Sequence, residues 1–106
     1  MVRGELFRLP SPRASKGREQ HGPRYGVVVQ ADELLVLSTV LVAPTSRRAA
    51  AATFRPMIKI GATETRVLIE QTTAVDPARL GAAAGRLSAE ERAAVDDALR
   101  LVLDLS

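Results

Sequence analysis

Two apolar, β-branched runs lie almost end to end in this sequence, and they constrain the fold more than any other feature. Tyr25–Gln30 reads Tyr-Gly-Val-Val-Val-Gln, and Leu34–Ala43 follows after a turn at Ala31–Glu33. Runs without polar alternation are those of strands covered on both faces. So short a connection makes the pair antiparallel, because a parallel crossover needs a dozen residues or more. Pro44 is expected to stop the second strand.

Further strands are expected at Gly4–Leu9, ended by Pro10, and at Phe54–Ile60 and Arg66–Glu70 around a turn at Gly61–Glu64. The poor alternation of Arg55, Lys59 and Glu64 puts the Phe54 strand at a sheet edge. From Pro10 to Pro23 the chain is rich in Pro, Ser, Arg and Gly. A loop of that length in a small domain is usually functional, and a flexible active-site loop is expected at about residues 10–23. Four alanines at Ala49–Ala52 are too few to nucleate a helix and read as loop. Asp76-Pro77 is an N-cap with proline at the first helical position, opening a short turn to Leu80.

Ser88-Ala-Glu-Glu91 is a capping box, and Val95, Leu99, Val102 and Leu103 recur behind it at helical spacing. A C-terminal helix is therefore expected over about residues 88–104. Short strands first and one capped helix last imply a mainly β fold, a curled sheet or partly open barrel closed by that helix. At 106 residues the chain has the size of a single domain, here residues 1–106, and is long enough to bury a core.

The composition removes several kinds of chemistry. Without cysteine there is no disulfide framework, thiolate metal site or cysteine nucleophile. His21 is the single histidine, too few for a histidine-rich metal site. Asp96, Asp97 and Asp104 lie on or near a solvated helix face, so no metal and no cofactor are expected. The apolar runs fall short of the ~20 residues of a membrane span. Arg3, Glu5 and Arg8 interrupt any signal-peptide core, so a cytoplasmic protein with no membrane partner is expected. Charge is unevenly placed: residues 1–60 hold ten Lys/Arg against four Asp/Glu, and residues 61–106 hold five against eight. The basic front half suits a polyanion or an acidic partner.

Within that half, Glu19-Gln20-His21-Gly22-Pro23-Arg24 feeds an arginine into the first residues of a buried strand. Arg24 either caps the strand and pairs with Glu19, or emerges toward an anion at the mouth of a groove. Thr45 and Ser46, followed by Arg47 and Arg48, offer hydroxyl and cationic donors to phosphate oxygens, or form a plain turn. Arg47, Arg48 and Arg55 are expected to form a basic patch. Only Phe7, Tyr25 and Phe54 are aromatic, so base contacts would rest on hydrogen bonds and arginine stacking.

Taken in order, Gly4-Glu5-Leu6-Phe7, Glu19-Gln20-x-Gly22-x-Arg24, Val42-Ala43-Pro44-Thr45-Ser46 and Gln71-Thr-Thr-Ala-Val75-Asp76 before a C-terminal helix resemble the MazF/PemK toxins of bacterial toxin–antitoxin modules. The likeness runs along nearly the whole chain. It implies a small SH3-like twisted barrel, a homodimer, and metal-independent endoribonuclease cleavage of single-stranded RNA, neutralised by a cognate antitoxin with an acidic C-terminal segment. It also implies Arg24 and Thr45 as catalytic residues, with Glu19 and Gln20 in the loop that lines the RNA groove; Ser46, Arg47 and Arg48, read above as phosphate donors, are expected to bind RNA beside them. The chain has Arg24-Tyr25 where the family usually has Arg-Pro, and Phe7-Arg8 where a Trp is usual, so the cleavage sequence is not carried over. A toxin of the same fold that binds a protein such as gyrase, or a non-catalytic RNA-binding module, are the alternatives.

Overall fold

A computed structural model describes residues 1–10 and 24–106. Among the described residues seven strands form one curled sheet: β1 (Glu5–Leu9), β2 (Arg24–Val28), β3 (Val40–Ser46), β4 (Met57–Ile60), β5 (Thr63–Val67), β6 (Thr73–Val75) and β7 (Ala83–Arg86). Their order is β4-β5-β3-β2-β1-β7, with β6 also paired to β3, and every pairing is antiparallel. One helix, α1 (Ala89–Leu103), follows. The mainly β architecture and the edge position of β4 match the expectation. The stretch expected to be a flexible loop lies, beyond Pro10, outside the described residues.

Both faces of the sheet are packed. Leu6, Val27, Ala43, Ile58, Val67 and Ile69 bury one face with Val95 and Ala98 of α1. Val28, Val40 and Val42 bury the other against Phe7, Leu9, Leu35, Val75 and Leu80. This double covering explains the unbroken valine run of β2. At Gly26 a Cβ would meet Val42 Cγ1 at 2.4 Å and Leu9 Cδ2 at 3.1 Å, so those side chains occupy the space.

Three boundaries differ from the sequence expectation. Leu34–Leu37 is not strand: Asp32–Leu34 is a single 3-10 turn, and Leu34, Val36 and Leu37 are exposed. Asp32 accepts the Arg3 amide at 2.6 Å. The buried Gln30 side chain donates to the Leu34 carbonyl at 2.8 Å and accepts the Leu41 amide at 3.0 Å, stapling the loop shut. Pro44 does not end β3 but sits inside it. It lies where that edge of β3 changes partner from β6 to β5, and it takes part only as acceptor, from the Leu68 amide at 2.8 Å. The missing N–H is therefore tolerated at this position. Finally, β4 and β5 are shorter or shifted, with Ile69–Gln71 a 3-10 turn, and the three- and four-residue strands β6 and β7 escaped the pattern.

The helix begins as expected. Ser88 Oγ accepts the Glu91 amide at 3.1 Å, and Glu91 accepts the Ser88 amide at 2.8 Å. Glu91 also takes the Lys59 amide at 2.8 Å, tying the cap to the edge strand. Only the first part of the apolar stripe is covered: Val95 is buried and Leu99 half-buried, whereas Leu101, Val102 and Leu103 are exposed. Val102 and Leu103 rim an open groove of about 530 Å³ floored by Val29, Leu41, Ile69 and Leu99. No helix among the described residues is long and apolar enough to cross a membrane.

Candidate functional site

Side chains alternate between the faces of a strand, and paired residues on neighbouring strands share a face. Leu9 pairs with Arg24, Ser46 with Arg66, and Arg66 with Met57. Arg24 stands two residues before Gly26, and Ser46 two residues after Pro44, the partner of Gly26. Leu9, Arg24, Ser46, Arg66 and Met57 therefore form one row across five strands on one face. The adjacent row, Arg8, Tyr25, Thr45 and Val67, belongs to the opposite face.

This alternation separates the two hydroxyls that adjoin Arg24's strand. Thr45 is only 8% exposed, and its hydroxyl donates to the Tyr25 carbonyl at 3.1 Å. That bond takes over beyond Gly26↔Pro44, the last paired position between β2 and β3. The single proton of Thr45 is thus committed to the backbone. Ser46 is half-buried and accepts the Arg48 amide at 3.2 Å. A hydroxyl that accepts in this way keeps its proton for another acceptor. Of the pair, Ser46 shares the face of Arg24 and has a donor to offer, whereas Thr45 fixes the strand end.

Arg24 is half-buried, and among the described residues no carboxylate stands within ion-pair distance of it. Arg47 and Arg48 follow Ser46 directly and are exposed. Glu19, Gln20 and His21 lie outside the described residues. Arg55 does not join Arg47 and Arg48 as an open patch. Its Nε and NH2 meet Glu70 Oε2 at 3.0 and 2.6 Å, its NH1 donates to the Ala50 carbonyl at 3.2 Å, and it stacks 5.5 Å from the Phe54 ring centroid. The Arg55 guanidinium holds the Glu70 carboxyl below its ordinary range. This pair anchors residues 50–56 beside the row.

Arg66 belongs to the row but did not stand out in the sequence. The signal was present in Thr65-Arg66-Val67, where Thr65 and Val67 are buried and the residue between them must face the other way. It was obscured because the strand was expected to start at Arg66.

Comparison with known proteins places the chain in a family. The family described as PemK-like, MazF-like toxin of type II toxin–antitoxin system matches residues 2–103. A provisionally named toxin of Mycobacterium tuberculosis is 39% identical over 71 residues, covering 67% of this chain and 66% of that protein, just under two thirds of its length. Among solved structures, a mycobacterial endoribonuclease in complex with its cognate antitoxin superposes with a TM-score of 0.81 at 13% identity, over 100% of this chain and 97% of the other. The MazE–MazF complex of Deinococcus radiodurans gives 0.76 at 19% identity, over 100% and 97%. At those identities the likeness is one of fold.

Proposed function

We propose that this chain, which belongs to the PemK-like, MazF-like toxins of type II toxin–antitoxin systems, is a metal-independent endoribonuclease that cleaves single-stranded RNA at a short sequence and is neutralised by a cognate antitoxin. The observation that carries the proposal is the shared face of Arg24 and Ser46, a cation without a carboxylate among the described residues beside a hydroxyl with an uncommitted proton.

RNA brings its own nucleophile. The 2′-oxygen attacks the adjacent phosphorus as it loses its proton, the bond from phosphorus to the 5′-oxygen breaks, and that oxygen leaves protonated. The products are a 2′,3′-cyclic phosphate and a 5′-hydroxyl. The protein must align the phosphate and stabilise the charge that builds on its oxygens. The planar fork of Arg24 suits two of those oxygens and the Ser46 hydroxyl a third. With a pKa above 12, Arg24 stabilises charge and does not act as base. Thr45 supports the site from behind by holding the Tyr25 carbonyl, which fixes where Arg24 enters β2. Arg47 and Arg48, together with Glu19 and Gln20, are assigned to the RNA path.

The active species is a homodimer. The groove of about 530 Å³ and the exposed Val102, Leu103 and Leu105 at its rim put knob and hole on one surface, as self-complementary pairing requires. An acidic segment of the antitoxin competes with RNA for the basic row, so its affinity falls with salt. The setting is the cytoplasm.

The test is incubation of purified protein with a long RNA in EDTA and mapping of the new 5′ ends, alongside Arg24→Ala, Ser46→Ala and Thr45→Val. Discrete 5′-hydroxyl ends that vanish with Arg24→Ala support the proposal. Intact RNA overturns it and favours a toxin that binds a protein target. If Thr45→Val loses cleavage at unchanged stability while Ser46→Ala keeps it, the roles assigned to the two hydroxyls are reversed.

A further inference from the structure

We infer that Arg66 is a second phosphate-binding arginine, holding an RNA backbone phosphate next to the one that Arg24 and Ser46 engage; this rests on the endoribonuclease proposal above. Arg66 stands on β5 directly beside Ser46, on the side opposite Arg24. Adjacent strands are about 4.8 Å apart, so the backbones of Arg24 and Arg66 are separated by roughly 10 Å. Two arginine side chains on one face at that spacing bracket the Ser46 hydroxyl between cations.

Among the described residues four arginines are half-buried, Arg3, Arg24, Arg55 and Arg66, and of these only Arg24 and Arg66 lack an ion pair. Arg3 meets Asp96 at 2.7 Å, Arg55 meets Glu70 at 2.6 Å, and Arg100 meets Asp97 at 2.9 Å. Arg66 is half-buried, and among the described residues its side chain makes one hydrogen bond, NH1 to the Arg55 carbonyl at 3.0 Å. Glu64, two residues away on β5, makes no ion pair with Arg66, and Glu70 is already taken up by Arg55. A guanidinium has five N–H groups, and one bond to a neutral carbonyl leaves both its charge and four donors unanswered. Partly desolvated charge of this kind calls for an anion. The single bond to Arg55 also steadies the side chain, so less freedom is lost when a phosphate is bound.

The row gives the ligand a polar centre and apolar ends. Leu9 closes it beyond Arg24, and Met57, exposed on the edge strand, closes it beyond Arg66. A single strand laid across the sheet would place consecutive phosphates over the two arginines, with bases free to lie over the apolar residues.

The experiment measures binding of a single-stranded oligonucleotide with 2′-O-methyl groups, which cannot be cleaved, to the full chain by fluorescence anisotropy at several salt concentrations. Wild type is compared with Arg66→Ala, Arg66→Gln, Arg66→Lys and Arg24→Ala, with thermal melts of each and with KM and kcat on the cleavable RNA. Arg66→Gln removes the charge but keeps an N–H for the Arg55 carbonyl, so it separates phosphate binding from loop anchoring. The expected result is a 5- to 10-fold loss of affinity in Arg66→Ala and Arg66→Gln, a salt slope shallower by about 0.7, a raised KM at nearly unchanged kcat, and substantial recovery in Arg66→Lys. Wild-type affinity and slope in Arg66→Gln overturn the inference, as does a loss that follows the melting temperature and not the charge. If Arg24→Ala loses cleavage while Arg66→Gln binds normally, the endoribonuclease proposal stands without this residue. A wild type that neither binds nor cuts RNA overturns both.

Discussion

Arg3 and Arg24 enter the same sheet from neighbouring strands' ends, yet the fold uses them in opposite ways. Arg3 is enclosed by its own chain: its NH1 meets Asp96 at 2.7 Å, its Nε donates to the Val29 carbonyl at 2.9 Å, and its amide donates to Asp32. The Asp96 oxygen it contacts is shielded from solvent, so the pair clamps α1 to the start of the chain. Arg24 stands at the opposite end of β2 from Val29, with no carboxylate within ion-pair distance among the described residues. The contrast teaches that a residue's type says little until its partners are counted. An arginine answered by acids holds the fold, and one left with open donors is free for the role proposed for Arg24.

That contrast yields predictions of decreasing size. Arg24→Ala should reduce RNA cleavage by about 100-fold or more, in the range seen when a charge-stabilising donor is lost, while its thermal melt stays close to wild type. A large fall in melting temperature would place Arg24 with Arg3. Arg3→Ala should cost about 1–3 kcal/mol in denaturant unfolding, because it strands a shielded carboxylate oxygen, and cleavage per folded molecule should be unchanged. Ser46→Ala should lower kcat by roughly tenfold, the worth of one hydrogen bond to a charged group, whereas Thr45→Ser, which keeps the bond to Tyr25, should stay near wild type. The smallest effect belongs to Glu70. Its pKa is lowered in the fold by Arg55, so its contribution is present above the ordinary carboxylate range and fades as pH falls through the folded value. Glu70→Gln should therefore be less stable than wild type by up to about 1 kcal/mol at pH 7, with the gap closing in acid melts. A gap that persists below pH 3 would mean that Glu70 acts through packing and not charge.

Much of the sheet could be read from the chain because its strongest signals are local. The valine run of β2, the Ser88–Glu91 capping box and the turn at Gly61 each depend on residues within a few positions of one another. What was not legible depends on distant partners. Leu34–Leu37 has the composition of a strand, but Gln30 and Arg3 fold it into a turn from outside. Pro44 looks like a terminator until the exchange of β6 for β5 beside it is known. The candidate site followed the same rule. Arg24 was visible from its place before the valines, whereas the choice between Thr45 and Ser46 is a question of which face each occupies, set by pairing to Tyr25 and Arg66. Arg66 emerged only once its row was assembled across strands.

The position of β1 between β2 and β7 has a consequence for the order of folding. Its register places Glu5 beside Arg86, and the Leu87 amide returns to the Gly4 carbonyl, so one edge of β1 is paired only across most of the described chain. The clamp from Arg3 to Asp96 adds the helix to that closure. Such distant pairing costs loop entropy before its contacts repay it, whereas the β4–β5 hairpin closes over a turn at Gly61. The hairpin can therefore form early, and the seam between β1 and β7 is the slow step that completes the sheet.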